Sequence, residues 1–74
     1  MGEKTPEAVA FGQFIKGGRT AMDWSQAEAA KRIGISQVYY CQIETAKRNV
    51  DLTLALKICK ILRLNFNEFS KNYT

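Results

Sequence analysis

Two helix-start signals, Ser25 and Ser36, with Gly34 between them, set the tightest limit on what this chain can fold into. Ser25-Gln26-Ala27-Glu28 is a capping box: the serine hydroxyl bonds a free amide while the glutamate reaches back. Gly34 suits the left-handed backbone that ends a helix, and Ser36 caps the next one. The helix between Ser25 and Gly34 is therefore short, and the third helix runs from its Ser36 cap to about Thr45. Two crossing helices of this length cannot bury enough surface alone, so other helices must complete the core.

The rest of the chain supplies them. Thr5-Pro6-Glu7 opens a first helix with an N-cap, a proline at its first position and an acid in its first turn. Phe11, Phe14, Ile15, Gly18 and Met22 mark one face of it. Asp51 caps a fourth helix, Leu52 to Leu62, with Ala55, Ile58, Cys59 and Leu62 on one stripe. Asn65, followed three residues on by Glu68, marks a last cap. Strand-like alternation is absent. The expectation is an all-α, compact bundle of about five short helices with a helix-turn-helix in helices 2 and 3. It spans residues 7–69, with residues 1–6 and 70–74 as tails.

Composition narrows the function. The 74 residues, 8.4 kDa, leave room for one small and marginally stable domain. There is no His, the commonest general base and metal ligand. Glu28, Glu44, Asp23 and Asp51 are scattered, and no Ser has a base beside it, so the expectation is no enzyme. Cys41 and Cys59 carry no CxxC spacing, which points to no metal and no cofactor. Neither a secretory h-region nor an apolar membrane span is visible, so a cytoplasmic protein with reduced thiols is expected. The net charge of +4 favours an anionic partner without identifying one.

The third helix separates into two faces. Tyr40 and Ile43 point inward with Ala29, Ile33 and Ile35, while Ala30 must be small where the second and third helices cross. Gln37, Val38, Cys41, Gln42 and Thr45 share another face, polar and nearly uncharged. A glutamine there can bond the N6 and N7 edge of adenine, and Val38 can meet a thymine methyl. This face is the candidate for base readout. Cys41 reads as a small residue beside the groove rather than a redox switch.

From Phe11 to Phe69 the chain resembles the lambda-repressor-like (Cro/cI-type, XRE) family of helix-turn-helix transcriptional regulators. The residues that carry the resemblance are Phe11-Gly12, Trp24-Ser25-Gln26, Ala29-Ala30-Lys31, Ile33-Gly34-Ile35-Ser36-Gln37, Ile43-Glu44, Lys47-Arg48-Asn49 and Leu62. It implies a sequence-specific DNA-binding regulator, a small prokaryotic, phage or mobile-element repressor or controller protein, whose third helix enters the major groove. Gln26 and Ser36 at helix starts, and Lys47, Arg48 and Asn49 in the following loop, would hold phosphates. Tyr39 leaves a phosphate contact and a spectator role both open. Arg19 is expected to pair with Glu44 as a structural ion pair rather than to bind DNA.

The resemblance also implies double-stranded DNA as partner, with a palindromic operator and a homodimer. Leu64, Phe66 and Phe69 are candidates for its interface. An antitoxin-like protein-binding role on the same fold is the alternative, though the terminal segments are short for it. Departures from the family pattern are visible. Gly18 and Ala29 stand where larger aliphatics are usual, and Tyr40 is expected to fill the vacated volume. Ala46 stands where Gly is usual and Val50 where Pro is common, so a different loop geometry is expected after the third helix.

Overall fold

Capping side chains set where each helix begins. The computed structural model describes residues 5–71, and among them five helices and no strand occur. Helix α1 spans Pro6–Ala21, α2 Gln26–Ile33, α3 Gln37–Glu44, α4 Leu52–Ile61 and α5 Phe66–Lys71. Thr5, Ser25, Ser36 and Asp51 each accept a hydrogen bond from the backbone amide three residues on, at 2.8–3.1 Å. Asn65 accepts instead from the Asn67 amide, two residues on, at 2.9 Å. These bonds satisfy amides that the helix itself leaves free.

Two sequence expectations change here. The capping box at Ser25 is half made, because the Glu28 carboxylate takes the Arg32 guanidinium at 2.6 Å. The expected tails also shrink: Thr5 and Pro6 belong to the start of α1, and Ser70 and Lys71 to α5. Residues 1–4 and 72–74 of those tails lie outside the described residues.

Helix ends share one device. After α1, α3 and α4 the chain turns through a left-handed residue: Asp23 at φ 60°, Ala46 at φ 63° and Arg63 at φ 59°. The next amide then reaches back five residues, Trp24 to Arg19 O, Lys47 to Gln42 O and Leu64 to Cys59 O, at 2.7–3.2 Å. This is the Schellman closure, and it is normally given to glycine. Of the four helices whose ends are described, α2 alone uses one, Gly34 at φ 93°. The loop after α3 thus keeps the left-handed turn that glycine would supply, with Ala46 in its place.

Ile15, Ile33, Tyr40, Ile43 and Ile58 are the largest fully buried side chains, and Phe11, Ala29, Ala30, Ala55, Cys59 and Leu62 complete the core. Helix α1 crosses the end of α3 so closely that a β-carbon on Gly12 would sit 2.3 Å from the Glu44 carbonyl oxygen. Gly18 admits a different neighbour. A β-carbon there would meet the Leu64 side chain at 2.7–2.9 Å. Leu64, from the turn before α5, therefore covers Gly18, while Tyr40 is fully buried in the core.

The chain's four phenylalanines gather where α5 docks on α1. Phe69 lies 5.4 Å from Phe11, edge to face, and 5.3 Å from Phe14, and Phe66 meets Phe11 edge to face at 6.4 Å. These spacings are within the favourable range for aromatic pairs. No helix among the described residues is long and apolar enough to cross a membrane.

Candidate nucleic-acid interface

The last residue of α3 fixes that helix to the rest of the bundle. Glu44 is buried, its side chain 2% exposed, and its carboxylate collects donors from three helices. From α1, Arg19 Nε donates to Oε2 at 2.6 Å and Nη2 to Oε1 at 3.2 Å. From α2, Gln26 Nε2 donates to Oε1 at 3.0 Å, and from α3 itself the Tyr40 hydroxyl donates to Oε2 at 2.5 Å. Arg19 Nη1 also donates to the Trp24 carbonyl at 2.8 Å, closing the turn between α1 and α2.

No buried side-chain polar atom among the described residues lacks a partner. That is the condition under which a buried charge is tolerated. Burial alone would push the Glu44 carboxyl up, but the hydrogen bonds from Arg19, Tyr40 and Gln26 outweigh it and hold the group below the ordinary glutamate value. The same contact with Glu44 raises Arg19. Tyr40 is raised by burial first and by its bond to Glu44 second, so its hydroxyl stays protonated as a donor.

Held at that end, α3 turns its other face outward. Gln37, Val38 and Thr45 are exposed, Val38 by 68%, and Cys41 and Gln42 are half-exposed. Thr45 turns its hydroxyl back to the Cys41 carbonyl at 2.9 Å. Gln42 accepts from Arg48 Nε at 2.9 Å, and the Arg48 guanidinium lies 5.1 Å over the Tyr39 ring. Lys47, Arg48 and Asn49 are exposed in the loop beside this face.

Two of the expected phosphate residues have structural tasks as well. Ser36 caps α3 through the Tyr39 amide. Gln26 commits one side-chain N–H to Glu44. Sequence reading missed that second tie, and missed Gly12 as the crossing point of α1 and α3. Both need the tertiary neighbour, Glu44, to be seen. The dimer candidates are drawn inward: Leu64 covers Gly18, and Phe66 and Phe69 are half-buried against α1. The apolar side chains left most exposed, besides Val38, are Leu52 at 63% and Leu56 at 47%, four residues apart on α4. Their signal was legible, since neither falls on the Ala55, Ile58, Cys59 and Leu62 stripe.

Comparison with known proteins agrees with this geometry. The family model described as Helix-turn-helix matches residues 15–69. Among solved structures the chain is similar to the restriction-modification controller protein C.AhdI from Aeromonas hydrophila. That match has a TM-score of 0.79 and 32% identity, covering 88% of this chain and 98% of the other. The clp gene regulator ClgR from C. glutamicum shares the fold, with a TM-score of 0.82 at 17% identity over 93% of this chain and 88% of its own. No curated protein matches the chain.

Proposed function

This chain belongs to the helix-turn-helix family of DNA-binding transcriptional regulators, and we propose that it acts by inserting α3 into the major groove of an operator. The observation that carries this reading is a polar, nearly uncharged helix face, held at a fixed angle by the Glu44 network and flanked by a basic loop. Gln37, Val38, Cys41, Gln42 and Thr45 supply base readout. Amide side chains recognise base edges by paired donors and acceptors, and Val38 packs on a thymine methyl.

Lys47, Arg48 and Asn49 grip the phosphates alongside, and Tyr39 adds its hydroxyl. Ser36 and Gln26 contribute from the starts of α3 and α2, Gln26 chiefly through its backbone amide because one side-chain N–H is engaged. Arg19 and Glu44 stay inside as a structural pair. The resemblance to a restriction-modification controller favours a small regulator that works by occupying its operator.

A domain of this size covers few base pairs, so two copies on an inverted repeat provide useful specificity, with half-sites about 34–36 Å apart. Leu64, Phe66 and Phe69, with their residual exposure, and the more exposed Leu52 and Leu56 supply apolar surface for pairing. Selection of bound duplexes from a random library at near-physiological salt tests the reading. An enriched inverted repeat is the expected result. A population with no preferred sequence overturns the groove assignment, and an enriched single half-site bound by one copy overturns the dimer.

A further inference from the structure

We propose that Arg48 sets this regulator's base preference by positioning Gln42, in addition to any contact it makes with phosphate. The inference rests on the reading that α3 enters the major groove. A glutamine on an exposed helix face rotates freely and presents either end of its amide to a base. Gln42 is not free in this way. Its Oε1 accepts from Arg48 Nε at 2.9 Å, so the carbonyl end faces the loop and the Nε2 donors face away. Arg48 is itself held on two sides. Its guanidinium lies 5.1 Å over the Tyr39 ring, and its backbone amide, with that of Lys47, returns to the Gln42 carbonyl at 3.3 and 2.8 Å. Tyr39, Arg48 and Gln42 thus form a layered unit in which the loop orients a side chain of the reading helix.

The orientation has a chemical consequence. With its amide nitrogen outward, Gln42 favours acceptor edges, N7 and O6 of guanine or O4 of thymine, over the donor-acceptor edge of adenine. Holding the amide before DNA arrives also lowers the ordering cost of the contact. The remaining guanidinium N–H groups can bond a phosphate at the same time, which would link backbone register to base identity in one residue.

The test compares wild type with Arg48→Lys, Gln42→Ala and the double variant, each checked for helicity. Measured are affinities for the selected site and for versions changed at each base pair in turn, across a salt series. Arg48→Lys keeps the charge but lacks the planar guanidinium. It is expected to retain the salt slope while losing about tenfold in discrimination at one base pair per half-site. Gln42→Ala should lose discrimination at that same base pair, and the double variant should lose no more than either alone. A uniform loss across all sites in Arg48→Lys, or additive losses in the double variant, overturns the proposal while leaving the groove reading intact. A wild-type protein that prefers no sequence removes both.

Discussion

Glu44, inside the protein, is the residue that ties α3 to α1 and α2. Its carboxylate is stabilised only because Arg19, Tyr40 and Gln26 all donate to it. Removing one partner of such a buried pair leaves the other uncompensated, at a cost of about 3–5 kcal/mol. Arg19→Ala is therefore expected to lose about 3 kcal/mol in urea unfolding, toward the lower end because two donors remain. Its DNA affinity should fall only in proportion to the unfolded fraction. Tyr40→Phe keeps the ring and removes one donor, and should cost about 1–3 kcal/mol. Gly17 gives the opposite sign. It is exposed inside α1, and a β-carbon there meets nothing within 4 Å. Gly17→Ala should stabilise by about 0.8–1.0 kcal/mol, read as a higher midpoint in the same measurement.

Among the helices, starts were legible, and so were the ends of α2 at Gly34, α3 at Thr45 and α4 at Leu62, but not the way most of them close. Thr5, Ser25, Ser36 and Asp51 announce themselves because capping needs a short polar side chain at one position. Ends are closed by a backbone conformation, and Asp23, Ala46 and Arg63 adopt it without the glycine that would have marked it. Arg63 is exposed, so relief of its left-handed strain is separable from packing. Arg63→Gly should raise stability by about 1 kcal/mol, measured by thermal unfolding. The outward face of α3 was legible too, since helical period alone sorts Gln37 and Gln42 from the buried Tyr40 and Ile43. Contacts between elements were legible only where the family resemblance supplied them, as in the Arg19–Glu44 pair. Nothing local says that Leu64 covers Gly18, or that Arg48 turns onto Gln42.

At the scale of the whole molecule, charge sets the response to pH and salt. The folded Glu44 carboxyl ionises below its ordinary value of 4.5, so between the two values the unfolded chain binds more protons. Its contribution is present above the ordinary glutamate range and is lost as pH falls through the folded value. Glu44→Gln should flatten the acid limb of a melting-temperature profile. Burial raises the Cys59 thiol from 9.0 to about 11, so stability also declines as alkaline pH passes through that interval. On DNA, each phosphate neutralised contributes about −0.9 to the log-log salt slope. Lys47→Ala should reduce the slope by about that amount and weaken all sequences alike. Gln37 distinguishes positioning from reading most cleanly, because it is exposed and the contacts described for the bundle pass through other side chains. The decisive measurement is the duplex preference of Gln37→Ala, selected beside wild type with helicity monitored. An unchanged fold with preference lost at one base pair per half-site is predicted; recovery of the identical preferred sequence at full stringency would contradict insertion of α3 into the groove.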